Sequence, residues 1–192
     1  MTRPERQAQA LTGGVEALED GALVDAFLAG RREAFDEIVV RHRRAVYQLC
    51  YRFVGNHEDA ADLTQDVFVR AFKGLARFKG DAQLGTWLYR VGVNVCLKRL
   101  ASRRPDAAPI DDVPNLAERG EDPLQLAERA ERARVLRAAV ERLPPRQRAT
   151  VVLRVYQDLS HEEIARVLDS SVGAVKANFF HAIRNLKRLV MP

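Results

Sequence analysis

The sequence predicts an all-α protein of two small helical domains joined by a flexible acidic linker. Apolar residues recur at three- and four-residue spacing, as in Leu23, Phe27 and Leu28, then Phe35, Ile38 and Val39, then Val46, Leu49 and Phe53. Glycines and prolines cluster at a few positions and do not recur every ten residues, which argues against a β-sandwich or barrel. Residues 103–122 carry Pro105, Pro109 and Pro114, no apolar period and a local acidic excess, the composition of a linker. At 192 residues, each half has only a modest core.

Residues 1–20 contain a Gly-Gly pair and little pattern and are expected to form a flexible N-terminal tail. The first domain is expected over 21–102. Gly55-Asn56 stops its first helical run. A helix follows from about Glu58 to Ala76, with Ala60, Leu63, Val67, Phe68, Ala71 and Phe72 facing inward. After FKGDAQLGT another helix is expected over WLYRVGVNVCLKRLASRR. The second domain is expected over 123–192. Asp122-Pro123 supplies an N-cap acceptor and a proline at the first helical position, where its missing N–H costs nothing. Pro144-Pro145 ends that helix, and another runs over about 145–157.

In SHEEIARVLDSSVGAVKAN, Ser160 and Glu163 have the spacing of a capping box. Asp169-Ser170-Ser171 is a turn, and Ser171 is placed to cap the next helix. Val175, Phe179, Ala182, Leu186 and Leu189 form one buried stripe there. At about 100° per residue, Gly173, Ala177, Phe180, Arg184 and Arg188 fall on the far side, with His181 beside them and Lys176 and Lys187 on the flanks. Small residues at the start, an aromatic in the middle and cations at the end suit a helix entering a DNA major groove. A solvated face of a helix pair gives the same pattern.

The net charge is +5 with a pI near 9.5, favouring a polyanionic partner. The charges are divided between helices. Residues 56–66 carry Glu58, Asp59, Asp62 and Asp66 and no cation, whereas residues 85–104 carry Arg90, Lys98, Arg99, Arg103 and Arg104 and no acid. An acidic helix in a basic protein suggests a basic protein partner, unless the two helices simply neutralise each other. Phe78, Trp87 and Tyr89 beside the basic helix could stack on single-stranded bases or pack in the core.

His42, His57, His161 and His181 show no ligand or triad spacing, and His42 and His161 are expected at the surface. Cys50 and Cys96 form no CxxC and are expected as small buried apolar residues in a reducing, cytoplasmic setting. No leader, membrane insertion, metal or cofactor is expected, and no enzyme chemistry.

DLTQDVFVRAF, FKGDAQLGTWLYRVGVN, LPPRQRATVVLR and LSHEEIARVLDSSVGAVKANFFHAIRNL resemble, in order and spacing, the bacterial sigma-70 family factors of the extracytoplasmic-function group. The resemblance implies a region 2 domain and a helix-turn-helix region 4 domain that bind core RNA polymerase, through its clamp coiled coil and its flap, and direct it to promoters. It implies that Asp62, Gln65 and Asp66 dock on the clamp. It implies that Phe78, the loop Lys79, Gly80, Asp81, Ala82, Gln83 and Leu84, and Asn94 capture and melt single-stranded −10 DNA, with Lys98 and Arg99 on the same basic helix. Lys176, Ala177, Phe180 and His181 would face the double-stranded −35 element, with Ser171 at the helix start and Arg184 on the same outward face. The linker would follow the polymerase's RNA path, and an anti-sigma factor could clamp both lobes. Asn178 and His181 stand where arginines are common, and Ser170 where the turn residue is usually apolar, which shifts the expected −35 preference towards Phe180, Lys176 and phosphate contacts. A stand-alone helix-turn-helix repressor or activator would explain residues 160–190 but neither the acidic helix nor the linker.

Overall fold

The computed structural model describes residues 14–102 and 123–191, with side chains from residue 127 onward in the second stretch; the expected linker and residues 1–13 lie outside the described residues. Eight α-helices lie among the described residues: α1 (Asp20–Leu28), α2 (Glu33–Val54), α3 (His57–Gly74), α4 (Leu84–Ser102), α5 (Pro123–Glu141), α6 (Pro145–Val151), α7 (His161–Leu168) and α8 (Val172–Val190). Short 3-10 turns lie at Val15–Ala17 and Leu75–Arg77, and α6 runs on as a π-helical turn, Val152–Tyr156.

In the first lobe α2 packs on α1, α3 and α4, and α3 packs on α4. Ile38, Val46, Leu49 and Phe53 of α2, Ala60, Val67 and Ala71 of α3, and Leu88, Val93 and Cys96 of α4 are buried. Gly92 permits the closest approach: a Cβ there would lie 2.8 Å from Leu49 Cδ2. The tail expected over residues 1–20 is narrower at its end. Leu18 is buried, and Arg41 Nη1 donates to its carbonyl at 2.6 Å while Nη2 donates to the Glu16 carbonyl at 2.8 Å. Phe72 faces outward more than its spacing suggests, yet its ring meets Phe27 and Phe35 edge-on, at 5.1 Å from each.

The breaks between helices follow from local chemistry. Gly55 ends α2 in the left-handed region at φ 78°, which a side chain rarely adopts. Asn56 then caps α3, its Oδ1 accepting from Asp59 N–H at 2.8 Å. In the second lobe Ser160 Oγ accepts from Glu163 N–H at 3.1 Å, and the Glu163 carboxylate accepts from Ser160 N–H at 2.8 Å, a complete capping box. Those hydrogen bonds from the Ser160 backbone and hydroxyl hold the Glu163 carboxyl below its usual range. Asp169 turns the chain at φ 49°, and Ser171 caps α8, its Oγ accepting from Ala174 N–H at 3.1 Å.

The second lobe has a small core of its own, with Val140, Leu143, Val151, Ala182 and Leu186 buried and Phe179 and Leu189 partly so. Its other buried side chains, including Leu153, Ile164, Val167 and Val175, are continuous with the first lobe's core. The lobes are therefore packed together, with α4 against α7 and α2 against the π-helical turn.

Candidate nucleic-acid interface

Helix α8 divides along its length as its periodicity requires. Val175, Ala182 and Leu186 are buried, whereas Lys176, Ala177, Phe180, His181, Arg184, Lys187 and Arg188 are exposed. Phe180 is 64 % exposed, and its ring meets His181 edge-on at 5.7 Å. An apolar ring so open to water forms no part of the core. Ser171 is exposed, although its hydroxyl is engaged in the cap. Asn178 is half-buried. The placement puts a small, close-approach surface at the start of α8 and cations further along it.

The segment between α3 and α4 forms a second surface. Phe78 and Trp87 are half-buried with ring centroids 5.6 Å apart, and both pack on the core while leaving part of each ring exposed. Lys79, Gly80, Asp81 and Gln83 are exposed, Ala82 is half-buried, and Leu84 is buried as the anchor where α4 starts. Gly80 adopts φ 77°, which lets the loop reverse direction there. Tyr89 is half-buried, and burial pushes its hydroxyl pKa up. On α4, Asn94 and Lys98 are exposed.

Helix α3 presents a third surface. Asp62, Gln65 and Asp66 are exposed on one face and line a groove with Lys98 and Arg99 of α4. Arg99 pairs with Asp59, whose carboxylate also accepts from Asn56 Nδ2 at 2.9 Å. The two helices thus neutralise each other at one point, whereas Asp62 and Asp66 stay on the open side. The acidic face and the basic helix border the same groove from opposite sides.

The histidines divide. His42 is largely buried, with Nε2 2.9 Å from the Asp20 carboxylate, and His161 opens α7 with Nε2 buried and its ring edge-on to Phe179. Both differ from the surface placement expected of them, because the partners that cover them are distant in sequence. Among the described residues, no group of three or more His, Cys, Asp or Glu side chains is placed to hold a metal ion.

Sequence reasoning missed the contact between the lobes. Arg77, Phe78, Lys79, Asp81, Thr86, Trp87 and Arg90 of the first lobe share a groove of about 470 Å³ with Arg166, Val167 and Asp169 of the second. Nothing in the spacing of Arg148 distinguishes it from a surface cation, because one of its acceptors, the Phe53 carbonyl, comes from the other half of the chain.

Two family models match the chain. Residues 38–105 match the family model Sigma-70 region 2, and residues 133–186 match Sigma-70, region 4. The chain is 36% identical over 179 residues to the ECF RNA polymerase sigma factor SigM of Mycobacterium tuberculosis, covering 93% of this chain and 88% of that protein. It is 33% identical over 186 residues to the ECF RNA polymerase sigma-E factor of Escherichia coli K12, covering 92% and 97%. Among solved structures it is similar to CnrH in complex with the cytosolic domain of CnrY, with a TM-score of 0.64 and 28% identity over 88% of this chain and 94% of that one.

Proposed function

Because the chain belongs to the extracytoplasmic-function group of the sigma-70 family, we propose that its three exposed surfaces divide the work of promoter recognition. The protein is a transcription initiation factor that binds core RNA polymerase and directs it to promoters. In our reading, residues 21–102 act as region 2 and residues 123–192 as region 4, with 103–122 as the connection.

Asp62, Gln65 and Asp66 dock on the basic clamp coiled coil of the polymerase. The observation that carries this assignment is the exposure of Asp62 and Asp66 beside an Asp59 that is already paired. Carboxylates left open to solvent attract a basic protein surface and repel a phosphate backbone. Phe78, Lys79, Gly80, Asp81, Ala82, Gln83 and Asn94 capture an unstacked base of the −10 element, with the half-buried rings as stacking platforms and Lys98 and Arg99 tracking phosphates; Leu84, expected in this set, is buried and anchors the loop without reaching DNA. Ser171, Lys176, Ala177, Phe180, His181 and Arg184 face the −35 duplex, and the second lobe also meets the polymerase flap. The chain acts in the cytoplasm, performs no chemistry of its own and uses no cofactor. A partner protein of the anti-sigma kind, as suggested by the complex of CnrH with the cytosolic domain of CnrY, would hold the factor inactive.

Run-off transcription with core polymerase on a pool of promoter fragments tests the reading. New defined starts are expected with the protein and absent without it, and Asp62→Lys with Asp66→Lys should abolish them while leaving the circular dichroism unchanged. Starts that persist with the double reversal would remove the docking assignment. No starts, together with tight duplex binding by the protein alone, would favour a stand-alone repressor.

A further inference from the structure

We propose that His42 of α2 is a positioning residue for base capture, its ring the footing against which residues 79–85 are set. His42 is largely buried, and its Nε2 lies 2.9 Å from the carboxylate of Asp20, the first residue of α1. A carboxylate only accepts, so Nε2 carries the proton of that bond. The preceding residue fixes the chain on which Asp20 stands. Arg41 donates to the Leu18 and Glu16 carbonyls, donates through Nε to Glu37 at 2.7 Å, and lies 3.6 Å from Asp20. Consecutive residues of α2 thus hold residues 16–20, and Asp20 holds the imidazole in one orientation.

The ring's other edge faces the start of α4. A Cβ on Gly85 would lie 3.7 Å from His42 Cε1 and 3.8 Å from Nδ1, ordinary contact distances. Gly85 follows Leu84, the buried anchor of the loop. Residues 79–83 have little else beneath them. Lys79, Gly80, Asp81 and Gln83 are exposed, and Gly80, Ala82 and Gln83 share a cleft of about 580 Å³ with Asp20, Gly21 and His42. At its other end the loop is held by Phe78, whose ring packs on Trp87. Trp87 in turn lies over Gly74, where a Cβ would stand 3.5 Å from its Cζ2. A loop bordered by open space takes its position from its two ends. The end at Phe78 and Trp87 is aromatic and offers the stacking surface, so the end at His42 sets where the polar residues stand beside it.

The consequence rests on the −10 role proposed above. A loop already seated binds without the ordering cost that a loose one incurs when DNA arrives. Docking on the polymerase is a separate matter. Asp62, Gln65 and Asp66 share their groove with Lys98 and Arg99, near the far end of α4. Gly85 and Lys98 are about 20 Å apart along that helix at 1.5 Å per residue. Loss of the footing therefore acts on capture of the −10 strand and leaves the docking face of α3 as it is.

Trp87 is the chain's one tryptophan, so acrylamide quenching of its fluorescence reads the seat of the loop in the free protein. Holoenzyme binding to a −10 fork template, with 2-aminopurine stepped along the unpaired strand, reads capture. His42→Ala should raise the quenching of Trp87 and weaken fork binding about threefold or more, the cost of ordering a loosened loop. The 2-aminopurine signal should fall with it, while affinity for core polymerase stays at the parent value. Asp20→Ala leaves the ring but removes its partner, and should reproduce the loss. His42→Gln, whose amide donates from about the position of Nε2, should restore both readings. If His42→Ala fails to fold by circular dichroism, Asp20→Ala decides. Unchanged fork binding in the folded variants, or a loss that His42→Gln does not restore, overturns the positioning role. A parent holoenzyme that gives no 2-aminopurine signal at any position, while the variants still open Trp87 to acrylamide, would instead sink base capture and leave the footing standing.

Discussion

Arg99 of α4 pairs with Asp59 of α3, fastening the basic helix of the first lobe to its acidic one. Lys98, the next cation along α4, is exposed and lines the same groove as Asp62 and Asp66. Adjacent cations on one helix thus have different environments. Arg99 is divided between holding α3 to α4 and any contact with phosphate.

From that difference, Arg99→Ala should lower stability by up to about 1 kcal/mol, the range of a solvent-exposed ion pair. Lys98→Ala should leave thermal unfolding unchanged. In salt titrations of holoenzyme on a pre-melted −10 template, Lys98→Ala should reduce the salt slope by about one unit. An equal slope change for both variants, with no loss of stability for Arg99→Ala, would remove the distinction.

Phe180 makes a cleaner test of the −35 face, because its exposure separates recognition from folding. Phe180→Ala should cost about 1 kcal/mol or more in discrimination between a cognate −35 duplex and a mismatched one, read by competition binding of the holoenzyme. The melting temperature should stay within a degree or so of the parent value. A large fall in melting temperature would mean that the ring supports the core.

Much of this arrangement was legible in the sequence, and what was not has a common cause. The capping box at Ser160 and Glu163, the helix break at Gly55-Asn56 and the outward stripe through Ala177 and Phe180 depend on neighbours within a turn or two, so spacing reveals them. The division of Asp59 from Asp62 depends on Arg99, forty positions away, and spacing cannot see it. The cover over His161 Nε2 and the burial of Arg148 depend on partners fixed only by tertiary packing. Arg148 in LPPRQRATVVLR has the local surroundings of a solvated cation, yet it lies between two helix ends. The π-helical turn after α6 falls inside the single helix that the sequence predicts over about 145–157, since periodicity over five residues does not separate the two.

Asp20 supplies a pH-dependent term. Its carboxylate accepts from His42 at 2.9 Å and lies 3.6 Å from Arg41 Nη1, and these partners, His42 foremost, hold its pKa below the ordinary value of 3.8. A carboxyl depressed in the folded state adds stability that is fully present above its unfolded pKa. That stability is lost as pH falls below 3.8 through the lower folded value. Asp20→Asn should therefore lower stability near neutral pH by about 0.5 kcal/mol, a figure discounted for solvent screening. The gap from the parent should close in urea titrations run progressively below pH 3.8. A gap that stays constant across that range would assign the loss to packing.

Gly92 tests the packing of α2 on α4 directly. Two effects oppose each other in Gly92→Ala. Replacing a mid-helix glycine gains roughly 0.5–1 kcal/mol in conformational terms, whereas the new Cβ would stand 2.8 Å from Leu49 Cδ2. Leu49 is fully buried, so its methyl cannot swing into solvent, and overpacking of this kind costs about 1–3 kcal/mol. The clash should win, and Gly92→Ala should be less stable by about 1 kcal/mol in urea denaturation. Leu49→Val removes the crowding methylene and leaves a small cavity of its own. Combined with Gly92→Ala it should fill part of that space, so the double variant should lose less than the sum of the singles. Simple additivity would show that α2 and α4 shift apart to admit the methyl, and that the close approach at Gly92 is not what sets their spacing.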